Sequence, residues 1–236
     1  REELRLPPDT LLGLGVDRID YTKGIEERLL AVEALLERHQ ELRGRFVFVQ
    51  LGAPSRTVIP RYRTLNEDLL ALAERINGRF GNDSYQPIVF ARAHHEPPTV
   101  FRYYRAAEFC YVSSLHDGMN LVAKEFVAAR DDEQGVLLLS MFAGAAQELT
   151  EALIVNPYDI GQTSAAMYAA LTMPAELQRA RLRAMRSLVS EFNVYRWAGR
   201  MLLDAARLRE RERLNQQLRS GDRLSATSSF ERSLRP

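Results

Sequence analysis

The sequence predicts an α/β fold, a parallel sheet with helices on both faces. Three observations carry that expectation. Short apolar runs alternate about six times with stretches of helical periodicity across short links, the pattern right-handed βαβ crossovers produce. The runs are nearly continuous in apolar residues, as suits strands covered on both sides. The composition, 46% hydrophobic and 27% charged over 236 residues, is that of an ordinary globular chain long enough for a sizeable core.

Taken in order, residues 1–10 are a polar lead-in holding Pro7 and Pro8. The run 11–16 is short and apolar enough for a buried strand; 17–24 is a loop. A helix follows over 25–39 on the spacing of Leu29, Leu30, Val32, Leu35 and Leu36. Residues 46–51 are rich in β-formers and make a second strand. The loop 52–56 leads to a helix over 60–80, with proline at its start where a missing N–H costs nothing. Strands at 87–90 and 109–112 flank a short helix from Pro97 to 107. A further helix spans 120–130, followed by strands at 136–140 and 152–155. Helices at 163–171, 175–191 and 195–217 close the chain. The Ser- and Arg-rich stretch beyond them reads as disordered, which gives one unit over 1–218 and a disordered tail or linker over 219–236. In parallel sheets ligands bind beyond the carboxyl ends of the strands; the loops 17–24, 52–56, 91–96, 113–120 and 141–146 share that edge.

Bulk properties exclude several functions. A formal charge of +1 provides no global field to recruit nucleic acid or an acidic membrane. The late arginines (Arg179, Arg181, Arg183, Arg186, then Arg207 to Arg213) are partly offset by glutamates and read as solvated helix faces. The most apolar stretch, 136–146, is interrupted by Ser140 and falls short of the roughly 18 residues of a membrane span. Cys110, the single cysteine, lies in a strand-like run and reads as a buried inert thiol. With no cysteine framework and no signal peptide in view, a cytoplasmic location is expected. The first residue is Arg1 rather than methionine, which suggests a piece of something longer.

Two stretches carry chemistry. In Val16-Asp17-Arg18-Ile19-Asp20-Tyr21-Thr22-Lys23-Gly24, Arg18 and Lys23 stand five residues apart, a planar donor fork and a flexible point charge suited to a diphosphate. Ion pairing with Asp17 and Asp20 explains them equally well. In Ser114-Leu115-His116-Asp117-Gly118-Met119-Asn120-Leu121-Val122-Ala123-Lys124-Glu125, a carboxylate and a glycine precede a helix start. There Asp117 can accept sugar hydroxyls, N–H groups after Gly118 can meet sugar or phosphate oxygens, and Glu125 can grip a ribose diol. A plain helix cap by Asp117 or Asn120 is the competing explanation. Gly13-Leu14-Gly15 suggests a dinucleotide fingerprint, but Arg18 stands where its third glycine belongs. His94-His95-Glu96 lacks further ligands at metal spacing, and Trp197, with Phe192 and Tyr195, reads as a helix-packing anchor.

These stretches, together with Arg75-Ile76-Asn77-Gly78, Phe142-Ala143-Gly144-Ala145-Ala146 and Ala152-Leu153-Ile154-Val155-Asn156-Pro157-Tyr158, resemble the trehalose-6-phosphate synthases, retaining glycosyltransferase family 20. The likeness runs from about Leu11 to Ala205 and covers the C-terminal, donor-binding half of a GT-B glycosyltransferase, a Rossmann-like domain with C-terminal helices. It implies glucose transfer from UDP-glucose to glucose 6-phosphate with retention, UDP-glucose being a substrate, and with neither metal nor cofactor. By the resemblance, Arg18 and Lys23 hold the diphosphate and Asp117 orients the donor glucose, these three making up the catalytic set. Backbone groups of Gly118, Met119, Asn120, Leu121 and Val122 orient sugar and phosphate, Glu125 takes the ribose, Arg56 reaches the acceptor phosphate, and the uracil lies near Ala91 to His94. The implied partners are a nucleotide sugar, a sugar phosphate and an N-terminal acceptor domain of the parent protein; a homo-oligomer is left open, and neither nucleic acid nor membrane is expected. His116 stands where many members carry arginine. The acceptor domain is missing, so the chain alone is expected to transfer nothing. Two alternatives stand beside this: a glucosylglycerol-phosphate synthase, against which Arg56 and Met119 count, and a non-catalytic regulatory or scaffold homologue, against which the joint retention of Arg18, Lys23, Asp117 and Glu125 counts.

Overall fold

Alternation within the apolar runs decides the architecture. In β1 (Leu11–Arg18), Leu12 and Leu14 face one way; in β2 (Phe46–Ala53), Phe46 and Phe48 face opposite to Val47, Val49 and Leu51. Each strand therefore needs a cover on both sides. One layer is α1 (Ile25–Arg38), α2 (Pro60–Phe80) and α5 (Ile160–Leu171), against Phe46, Phe48, Phe109, Tyr111 and Leu138. The other includes α3 (Pro97–Ala106), α4 (Leu121–Ala129) and α6 (Ala175–Glu191), whose Tyr104, Phe126, Leu182 and Met185 pack on Leu12, Leu14, Cys110 and Leu137. The structure, a computed structural model, describes residues 6–56 and 58–232.

The sheet is wholly parallel, in the order β3 (Ile88–Ala91), β2, β1, β4 (Phe109–Val112), β5 (Val136–Ser140), β6 (Leu153–Val155). β1 and β2 pair along their whole length, from Leu11 opposite Phe46 to Arg18 opposite Ala53. By contrast, β1 meets β4 only at Gly13 opposite Phe109 and Leu14 opposite Cys110. The strand order also reverses there, and it is outside the carboxyl ends of the strands at such a reversal that open α/β sheets bind their ligands.

The glycines of Gly13-Leu14-Gly15 lie inside β1 and serve packing. A Cβ on Gly13 would sit 2.6 Å from the Phe109 ring, and one on Gly15 would sit 2.3 Å from Arg28 Nη1.

β1 and β2 run two residues beyond the expected ends, to Arg18 and Ala53, and three boundaries differ more. α5 begins at Ile160, earlier than its periodicity shows, because the Asp159 carboxylate accepts the Gln162 N–H at 2.8 Å and caps it. The chain divides into two compact units, Arg1–Ser190 and Glu191–Pro236, rather than at 218. In the second unit α7 extends over Val194–Arg232, so most of the stretch expected as a disordered tail or linker is helical. No proline interrupts it before Pro236; residues 233–236 lie outside the described residues. Trp197 and Tyr195, at 61% and 84%, are exposed rather than packing anchors. Among the described residues no helix is long and apolar enough to cross a membrane.

Candidate functional site

The loop from β1 to α1 is built by its own side chains. Asp20 accepts the Thr22 N–H at 3.0 Å and the Thr22 hydroxyl at 2.9 Å, which caps a single 3-10 turn, Tyr21–Lys23. Gly24 then turns left-handed at φ 61 to start α1. A Cβ on Gly24 would lie 2.3 Å from the Ser113 carbonyl oxygen, so this loop runs in direct contact with the loop after β4. Hydrogen bonds seam the two: the Leu115 and His116 N–H groups donate to the Thr22 carbonyl at 2.8 and 3.4 Å, and the Ser113 hydroxyl reaches the carbonyls of Gly24 at 2.7 Å and Lys23 at 2.8 Å.

The seam brings Lys23 to Asp117. The ammonium donates to Asp117 Oδ2 at 2.7 Å, and the Asn120 amide donates to the same oxygen at 3.1 Å. Partial burial pulls the Asp117 carboxyl up, but the hydrogen bonds from Lys23 and Asn120, the Lys23 charge and the Met119 N–H outweigh it and hold the group below its ordinary value. The loop after β5 backs the site: the Gly144 N–H donates to the Asp117 carbonyl at 2.8 Å and the Ala145 N–H to the Met119 carbonyl at 2.7 Å.

Asn120 rather than Gly118 takes the unusual backbone here, at φ 81. Its side chain repays that strain by accepting the Ala123 N–H at 3.0 Å, capping α4. The first-turn N–H groups of Leu121 and Val122 lack intrahelical acceptors. Met119 and Leu121 are exposed, at 50% and 60%.

The other candidates stand on β1, α4 and the loop after β2. Arg18 ends β1, exposed, and its guanidinium makes no hydrogen bond or ion pair among the described residues. Glu125 lies on α4, where the Tyr104 hydroxyl donates to its Oε2 at 3.0 Å; no contact joins it to the Lys23–Asp117 pair. Arg56 is left-handed at φ 49 and donates to the Tyr62 hydroxyl at 2.6 Å, which donates in turn to Asp20 Oδ2 at 3.2 Å. A relay therefore links Arg56 to the β1–α1 loop. His94 and Glu96 are exposed and 3.8 Å apart, and no three potential metal ligands converge among the described residues. Cys110 is fully buried, and burial pushes its thiol up and out of reactive range.

Sequence patterning alone passes over a buried cluster beneath the loop. Arg28 is fully buried and bonds Asp17, Gln50 and Ser113. The signal exists: Arg28 occupies an apolar-stripe position, three residues after Ile25 and four before Val32.

Residues 5–207 match the family described as Glycosyltransferase family 20. Trehalose-6-phosphate synthase of Klebsiella pneumoniae is 43% identical over 190 residues, 80% of this chain and 40% of that protein. Two solved structures superpose with a TM-score of 0.81. One is trehalose-6-phosphate synthase from E. coli bound with UDP-2-fluoro glucose, 38% identical over 84% of this chain and 47% of that one. The other is a UDP-forming α,α-trehalose-phosphate synthase from Burkholderia xenovorans in complex with glucose-6-phosphate, 43% identical over 83% of this chain and 44% of that one. The chain spans less than half the length of each of these relatives. With its parallel sheet, the reversal of strand order between β1 and β4 and this match, the chain belongs to glycosyltransferase family 20.

Proposed function

We propose that the chain is the donor-binding half of a retaining, metal-independent glucosyltransferase that moves glucose from UDP-glucose to glucose 6-phosphate, forming trehalose 6-phosphate. The observation that carries the reading is the Lys23–Asp117 pair joining the loops after β1 and β4, where the strand order reverses. A diphosphate entering there takes the ammonium, and Asp117 is released to accept donor hydroxyls. Arg18, its guanidinium unpaired among the described residues, is free to add a planar fork. The N–H groups of Leu121 and Val122, with the backbone of Gly118, Met119 and Asn120, orient the sugar and phosphates. Glu125, fixed by Tyr104 through one oxygen, offers the other to the ribose. Relatives solved with a UDP-glucose analogue and with glucose-6-phosphate support both substrates.

Breaking the sugar–phosphate bond leaves negative charge on the diphosphate, and preorganised cations and amides favour that charge most in the transition state. The departing phosphate oxygen takes the acceptor proton on the same face, which gives retention. Arg56, tied through Tyr62 to the β1–α1 loop, is placed to meet the acceptor phosphate. The one cysteine, buried and unpaired, suits a cytoplasmic setting.

Since the chain spans less than half of its relatives, alone it binds the donor weakly and transfers nothing. Calorimetry with UDP is expected to show binding, and a coupled UDP-release assay with UDP-glucose and glucose 6-phosphate to show none above background. Absence of UDP binding overturns the donor-site reading; turnover overturns the need for the remaining half.

A further inference from the structure

Four charges of alternating sign run in a row from the buried face of α1 to the loop after β4: Arg28, Asp17, Lys23 and Asp117. The Asp17 side chain is 3% exposed, and Arg28 Nη2 meets its Oδ2 at 2.6 Å. Lys23 has two carboxylates within reach, Asp17 Oδ1 at 4.0 Å and Asp117 Oδ2 at 2.7 Å, and it engages the second. The guanidinium is held on every side: Nη1 donates to Gln50 Oε1 at 2.7 Å, Nε donates to the Ser113 hydroxyl at 3.0 Å, and its carbon lies 5.6 Å from the centre of the Tyr111 ring. The same Ser113 hydroxyl donates to the Lys23 and Gly24 carbonyls. β1 leaves the space this requires, since a Cβ on Gly15 would collide with Arg28 Nη1 and with Gln50 Oε1.

A buried carboxylate stripped of its counterion is costly, and the nearest other cation to Asp17 is Lys23. We propose that Arg28 is a positioning residue of the donor site: by satisfying Asp17 it keeps Lys23 turned outward, available to Asp117 and to a diphosphate. The functional meaning rests on Lys23 being a diphosphate ligand, as proposed above; the test does not. A purely structural brace would lower stability when removed yet leave the reactivity of Lys23 in the folded protein unchanged.

The chain has only two lysines, Lys23 and Lys124, so acylation by an amine-reactive ester, followed by peptide mass spectrometry, reads Lys23 directly. Lys124, paired with Glu148 at 2.6 Å, is the internal reference. In Arg28→Met the unneutralised Asp17 captures Lys23 in an ion pair, and acylation of Lys23 slows about tenfold, with Lys124 unchanged. Arg28→Met combined with Asp17→Asn restores the Lys23 rate. An unchanged Lys23 in the single variant, or no recovery in the double, overturns the proposal. Should Arg28→Met fail to fold, so that both lysines react faster, Asp17→Asn alone decides. If Arg28 already satisfies Asp17, its Lys23 rate stays within about twofold, whereas a rise of about tenfold overturns the proposal. Adding UDP separates the two ideas. Protection of Lys23 in the unaltered chain supports the donor-site reading; no protection, with the variant pattern intact, overturns that reading and leaves the role of Arg28 standing.

Discussion

Lys23 and Asp117 are 94 residues apart in sequence and 2.7 Å apart in space, and Gly24 makes their meeting feasible. Any side chain there would be forced into left-handed backbone, at a cost of roughly 1 to 2 kcal/mol, and would also press on the Ser113 carbonyl. Gly24→Ala is therefore expected to lower unfolding stability by at least about 1 to 2 kcal/mol in denaturant titration. Unchanged stability would mean that the two loops are not seamed as described. At this scale the sequence was most informative where polar residues interrupt apolar runs. Lys23 and Asp117 stood out because each follows a strand in a loop that carries glycine. Arg28 did not, because a charge on a helix is ordinarily solvated and only the depth of its stripe position distinguishes it. Gly118 drew attention by residue type, yet the left-handed turn fell to Asn120, whose amide both bonds Asp117 and caps the helix.

The elements hold the loops through a few polar ties between apolar layers. Asn77 on α2 bonds both the N–H and the carbonyl of Ile88, at 2.9 Å each, fastening that helix to β3. Glu33 on α1 receives both terminal nitrogens of Arg75, at 2.6 and 2.7 Å, and one of Arg79 at 2.9 Å. Arg75 and Asn77 account for part of the Arg75-Ile76-Asn77-Gly78 stretch in structural terms. The Arg75 hydrogen bonds, opposed by burial and reinforced by Arg79, hold the Glu33 carboxyl below its ordinary value. A carboxyl whose folded pKa is depressed contributes stability that is present above its unfolded pKa and lost as pH falls through the folded one. Comparison of wild type with Glu33→Gln should show a difference at neutral pH that shrinks below about pH 4. Because both arginines are half exposed, the difference is expected to be about 1 kcal/mol or less; one that grows with acid would contradict the assignment. Strand and helix positions were legible from periodicity, whereas the start of α5 was not, since it depends on the Asp159 cap.

At the scale of the whole molecule, periodicity announces a parallel sheet but not its strand order. That order, β3-β2-β1-β4-β5-β6, depends on which way each crossover turns, and it is what places the loops after β1 and β4 side by side. Recognition of the family rested on loop residues, and the fold explains why they matter: they are the loops that flank the reversal. Whether the loops after β1 and β4 receive the diphosphate of a nucleotide sugar, as proposed above, is tested most directly by backbone amide shifts recorded while UDP is titrated into the chain. Changes are expected to concentrate at residues 17–24 and 113–125 and to be largely lost in Lys23→Ala. Shifts centred elsewhere, or a Lys23→Ala titration indistinguishable from wild type, would contradict that proposal.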